Sequence, residues 1–257
     1  MPKLNAYQLK WIAIICMILN HMVITWWELF PHFLRFPLYL IGGATFPIMA
    51  FFVVEGYRHT SNLKKYLLRI CVFALISMPF YMVAIVGALG MMWLNIMFTI
   101  AFSIIVLLLY DKIKIRVLFW LLYALVILPI SFMFFEWSFA GVTMVLLYHI
   151  IRNESARRIV PPMFAAISML LMTGLVAISP SEVSEAAHPL FVNPDFLPVM
   201  ATFPIGCAAV AFLLKCYNGE RGKRMKWLFY AFYPAHLAVL AGVALALGLA
   251  DLSVFGF

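Results

Sequence analysis

Charge is what this chain lacks. Only 11% of its 257 residues are Asp, Glu, Lys or Arg while 66% are hydrophobic, and a soluble globular domain normally carries about twice that charged fraction, roughly a quarter. A water-soluble fold is excluded. Acids are scarcer than bases, 10 against 18, which leaves a net charge of +8. The four cysteines, Cys16, Cys71, Cys207 and Cys216, form no CxxC pair, so neither a disulfide framework nor a zinc site is indicated. His32, His59, His149 and His188 show no metal-ligand spacing, and no metal is expected. Soluble domain, low-complexity linker and clear internal repeat are all lacking, which leaves one domain over residues 1–257.

What is present is a series of uncharged stretches, each long enough to cross roughly 30 Å of hydrocarbon at about 1.5 Å per helical residue. The expected fold is an all-α polytopic bundle of about nine spans, near 11–27, 37–57, 66–86, 92–110, 117–135, 138–151, 159–179, 199–214 and 227–249. Gly87 and Gly90 mark the turn between the third and fourth. The first apolar run is long for a signal core and lacks a small-residue cleavage pattern, so it is kept as a span.

Lys and Arg should collect in alternate loops, on the cytoplasmic side. With a cytoplasmic amino terminus every one of them except Arg35 falls inside, and the long outer loop 180–198 carries Glu182, Glu185 and Asp195 instead. The carboxyl terminus is then outside. Topology thus accounts for the net charge, and nucleic-acid binding is not expected.

In such a chain, ionisable groups near or inside the apolar stretches are the candidates for chemistry. Glu55 ends the run 46–57 and is followed by Gly56, Tyr57, Arg58, His59 and Thr60. Helical spacing of three and four residues brings Glu55 to Arg58 and His59. Lys64, Lys65 and Arg69 follow, a basic patch suited to lipid headgroups or to the phosphates of a nucleotide-like donor.

Lys10 and His21 are eleven helical steps apart, which returns them to within about 20° of one face with His21 about 16 Å deeper. An uncharged buried histidine can act as a base, and Asn20 beside it can orient a substrate. Fifteen residues separate Glu136 from Arg152, about 22 Å of helix, so Glu136 is drawn below the outer surface. The last span carries Tyr233, Pro234 and His236 well inside the hydrocarbon, and Asn95 and Thr99 share a face of the fourth.

These residues resemble the TraX family of membrane proteins, named for acetylation of conjugative pilin. The likeness rests on 9–21 (LKWIAIICMILNH), on 46–60 (FPIMAFFVVEGYRHT) with Asn62, Lys65, Tyr66 and Arg69, on 95–99, and on 229–237. Family members typically carry aspartate before the first-span histidine, where this chain has Asn20. The spacing of Lys10 and His21 also resembles that of the broader integral-membrane acyltransferases.

The resemblance implies a multi-pass protein of the bacterial inner membrane that moves acetyl from cytoplasmic acetyl-CoA to an amine or hydroxyl on a peptide, a pilin or a small molecule. It implies His21, His236, Tyr233 and Glu55 as catalytic, and Lys10, Arg58, Lys64, Lys65 and Arg69 as holding the donor, with Glu55 fixing Arg58. Asn20, Asn95 and Glu136 would meet the acceptor. Two other classes fit the same composition: a small proton-coupled transporter or flippase, and a non-catalytic assembly protein whose buried ionisable groups serve helix packing.

Overall fold

The computed structural model describes residues 3–86, 94–178, 195–223 and 226–250. Nearly all of them are helical, and the β-type pairings among them are two isolated bridges, Leu4 with Tyr217 and Leu94 with Phe135. In chain order the helices are α1 (Ala6–Thr25), α2 (His32–Gly42), α3 (Thr45–His59), α4 (Leu63–Tyr81, prolonged by a π turn to Val86) and α5 (Ile96–Lys112). They continue with α6 (Arg116–Phe134), α7 (Ser138–Ile150), α8 (Glu154–Ile178), α9 (Phe196–Met200), α10 (Phe203–Lys215) and α11 (Lys226–Ala246). The expected turn at Gly87 and Gly90, most of the acidic loop, and Asp251 lie outside the described residues.

Among the described residues, seven stretches are long and apolar enough to cross a membrane, so the chain is a multi-pass, all-α membrane protein. The other two expected spans occur as the shorter helices α5, of 17 residues, and α7, of 13 residues. One expected span needs correction: 37–57 is not a single rod but α2 and α3, broken at Gly43 and Ala44.

Polar side chains begin several of these helices by accepting from otherwise unpaired backbone N–H groups. Asn5 and Gln8 form a reciprocal capping box on α1, while Asn62 caps α4 and Asn95 caps α5.

Burial sorts the helices into layers. The span made of α2 and α3 is 67% buried against 22% for α6, so α3 is central and α6 presents most of its surface to lipid. α3 packs on α1, α7 and α10; α11 lies against α4 and α1; α8 runs along α10.

The break between α2 and α3 is also a close helix crossing. A Cβ on Gly206 of α10 would stand 1.8 Å from the Leu40 carbonyl oxygen, and one on Gly43 would stand 2.2 Å from that of Phe203. Side-chain-free residues let membrane helices approach this closely. The contact holds α2 and the start of α3 over the chamber described next.

Candidate active site

α1, α3, α5 and α11 enclose a chamber of about 70 Å³, completed by the turn between α6 and α7. His21 and Asn20 of α1, Thr45 of α3, Tyr233 of α11 and Glu136 of the turn all line it. Four buried polar atoms here, Asn20 Nδ2, Thr45 Oγ1, Glu136 Oε2 and the Tyr233 hydroxyl, have no hydrogen-bond partner among the described residues. Buried polar atoms are nearly always paired, because an unmade bond costs about 1–3 kcal/mol. Four around one small space mark a place for a polar ligand.

His21 and His236 face each other across α1 and α11. Their rings are stacked 5.1 Å apart, with His21 Nδ1 2.9 Å from His236 Nε2. His236 Nδ1 lies 3.1 Å from the Phe232 carbonyl oxygen. A carbonyl can only accept, so His236 Nδ1 carries a proton. With both rings neutral, His236 Nε2 then accepts from His21 Nδ1–H, and His21 Nε2 is left with a free lone pair. His236 therefore positions His21 and fixes its tautomer. Phe232 and Tyr233 flank His236, with ring centroids 5.0 and 5.3 Å away.

Glu136 is held inward by its backbone. Its N–H donates to the Leu94 carbonyl at 3.0 Å, and its own carbonyl accepts from the Thr99 hydroxyl at 2.8 Å. The next two residues take left-handed backbone angles, Trp137 at φ 66° and Ser138 at φ 49°, a conformation that is strained for residues other than glycine and that clusters at functional sites. Trp137 closes the chamber beside Phe46 and Phe203. Burial pushes the Glu136 carboxyl up to about 7, although the Ile96 amide and Tyr81 hydroxyl favour its charged form.

A second cavity, of about 210 Å³, opens on the Lys- and Arg-rich face. Lys10, Arg221 and Lys223 stand at it among Tyr7, Phe52, Tyr66 and Tyr230. Met49, Met97, Ile100 and Phe229 line both cavities. These four side chains form a narrow apolar layer, the neck, between the basic mouth and the histidine chamber. Each volume is below the roughly 300 Å³ at which pockets for drug-sized ligands begin, so a large ligand can insert only a slender end.

Several expected site residues stand elsewhere. Glu55 does not fix Arg58. Its carboxylate pairs with Arg157 of α8, which is only 4% exposed and also bonds Glu154 and the Tyr148 carbonyl. Arg58 instead donates to the His149 carbonyl at 2.8 Å, satisfying the end of α7. Both residues tie helices together away from the chamber.

Asn95 is fully buried and spent. Its amide bonds the Ala74 carbonyl at 2.9 Å while its oxygen accepts from the Met97 N–H, so it does not face a substrate space. Lys64 and Lys65 are exposed and line neither cavity. Arg69 lies against Tyr230, 5.8 Å from its ring, and thus beside the mouth but not in its lining.

The structure adds Thr45, Trp137, Arg221 and Lys223 to the candidates. The pair Arg221 and Lys223, flanking Gly222 in the loop after α10, is the one signal the sequence offers for these. Among the described residues no cluster of three His, Cys, Asp or Glu side chains is arranged to hold a metal ion.

A polytopic helical bundle with a buried imidazole pair beside a polar chamber, one apolar layer from a basic cavity, defines a membrane protein with an internal reaction or binding chamber. The chain belongs to the TraX family: the family model described as TraX protein matches residues 5–244. It is 28% identical over 261 aligned positions, covering 95% of this chain and 97% of the relative, to the "Probable fimbrial assembly protein FimC, serogroup H1" of Dichelobacter nodosus. No solved structure matches it.

Proposed function

We propose that this protein is a membrane-embedded acetyltransferase that takes acetyl from acetyl-CoA at the basic, cytoplasmic face and passes it to an amine or hydroxyl acceptor. One observation carries the reading: only the neck formed by Met49, Met97, Ile100 and Phe229 stands between the cationic mouth and a chamber with His21 and four unpaired polar atoms. The fit to the donor is chemical. Its phosphates suit the cations, its thin pantetheine arm suits the neck, and its acetyl end is small enough for the chamber.

In the reaction His21 Nε2 takes the proton from the acceptor as the acceptor's lone pair attacks the thioester carbonyl carbon. Tyr233 O–H stabilises the oxygen that gains negative charge, being a donor already in place and unspent. As that carbonyl reforms, the carbon–sulfur bond breaks and the His21 imidazolium returns the proton to the departing thiolate. His236 keeps His21 in the required tautomer throughout. Asn20, Thr45 and Glu136 hold the acceptor.

The relative named for fimbrial assembly favours a fimbrial or pilin-type subunit as acceptor. The test is mass spectrometry of membranes and secreted material from cells carrying wild-type protein or His21→Ala. Acetylated species should be present with the first and lost with the second. Equal acetylation by a folded His21→Ala protein would overturn the role given to His21.

A further inference from the structure

The mouth cations are set in a built site. The loop that bears Arg221 and Lys223 follows α10 and is pinned to the amino-terminal segment: Leu4 N–H donates to the Cys216 carbonyl at 2.8 Å, Asn218 N–H to the Leu4 carbonyl at 2.9 Å, and Ala6 N–H to the Glu220 carbonyl at 2.8 Å. Gly222 sits at φ 65°, and a Cβ there would be 2.8 Å from that of Tyr7 and 2.9 Å from Asn5 Oδ1. Only glycine accepts both that angle and that approach. The loop is therefore held against the start of α1, where Lys10 is.

The loop's one carboxylate, Glu220, accepts from the Asn218 side-chain amide at 2.8 Å and does not line the cavity. Among the described residues no acidic side chain lines it. Lys10 rests between the Phe52 and Phe229 rings, 4.9 Å from each centroid, and electrostatic repulsion from Arg221 reaches it. Three cations converge on one opening that no described carboxylate lines, an arrangement stabilised by a bound anion. Arg supplies a fork of donors and Lys a point charge, the two forms of phosphate recognition.

We propose that Lys10, Arg221 and Lys223 form a binding site for a phosphate-bearing group, and that this site, not the exposed Lys64 and Lys65, anchors the donor. The second half rests on the acetyltransferase reading. The same chemistry is offered by an anionic phospholipid headgroup, so the assay has two arms.

Purified protein in phosphatidylcholine nanodiscs is titrated with coenzyme A and with pantetheine, which lacks the phosphates. In the second arm, protein is reconstituted from mixed phosphatidylglycerol and phosphatidylcholine, and retained phosphatidylglycerol is measured. The variants are Arg221→Gln with Lys223→Gln, Lys10→Gln alone, and Lys64→Gln with Lys65→Gln as the off-site control, each with a thermal melt to verify folding. Wild type should bind coenzyme A more tightly than pantetheine, and each on-site variant should lose about tenfold or more, the size of one charged hydrogen bond. The off-site control should not change.

If wild type ignores coenzyme A but retains phosphatidylglycerol through the same three residues, the phosphate site stands and the donor reading falls. If wild type binds coenzyme A and the on-site variants bind it equally well, the site is wrong while the donor reading survives. Wild-type protein that takes up neither ligand overturns the site.

Discussion

Replacing His236 by leucine keeps an apolar body of similar size in α11 but removes the acceptor for His21 Nδ1–H, now 2.9 Å away. A buried donor left unpaired costs about 1–3 kcal/mol. If His21 holds its tautomer, that strain disturbs the position of the base; if it changes tautomer to escape, the proton moves to Nε2, the atom that must be bare. At 1.36 kcal/mol per factor of ten, the rate should fall roughly 5- to 150-fold. His236→Gln restores an acceptor oxygen and should recover part of the loss. Thiol release from acetyl-CoA by purified protein, supplied with envelope extract as acceptor source, reads the effect. Full activity of His236→Leu beside an inactive His21→Ala would refute the tautomer argument, as would equal impairment by Leu and Gln.

Other perturbations follow from the same geometry. Glu136 stands in the turn outside α6 and α7, and its carboxyl rises from the ordinary 4.5 to about 7 in the folded protein. A raised carboxyl binds its proton more tightly when folded, so stability falls as pH rises from about 4.5 to 7 and is level above that. Glu136→Gln should therefore raise the melting temperature at pH 8 and leave it unchanged at pH 4, read by thermal unfolding in detergent; the same shift at both pH values would contradict the burial argument. Gly206→Ala places a Cβ 1.8 Å from the Leu40 carbonyl oxygen, a backbone clash that should destabilise by about 1–3 kcal/mol or more, and an unchanged melt would mean that the α2 to α10 crossing is looser than described. Glu55→Ala leaves the nearly buried Arg157 with Glu154 as its remaining carboxylate partner. Breaking a buried pair costs about 3–5 kcal/mol, and the part exposure of Glu55 lowers this to roughly 1–3. Lower thermal stability is expected, with coenzyme A binding by the folded fraction retained; lost binding at full stability would return Glu55 to the donor site.

The residues most legible in sequence were those whose polarity contrasts with greasy neighbours. Asn20, His21, Glu136, Tyr233 and His236 stood out for that reason, and all of them except His236 line the chamber, with His236 one ring behind. Thr45 and Trp137 carry no such contrast and become visible only where chain segments meet. Glu55 was paired with the nearest cation in sequence, but its partner stands 102 positions away, a distance that helical spacing does not see. Arg221 and Lys223 were absorbed into the general excess of inner-loop cations, which the positive-inside tendency explains without any site. The helix pattern itself was readable because long apolar runs have few alternatives in a bilayer. The break at Gly43 is marked by the Gly42–Gly43 pair, a turn signal, but no charge accompanies it and the stretch around it reads as one span.

The most direct measurement is a cryo-electron-microscopy structure in nanodiscs with a non-transferable thioether analogue of acetyl-CoA. The account predicts phosphates at Lys10, Arg221 and Lys223, the arm passing between Met49 and Met97, and the acyl oxygen within hydrogen-bond reach of the Tyr233 hydroxyl beside His21. An analogue seated elsewhere, with the neck closed and the chamber filled only by water, would contradict it.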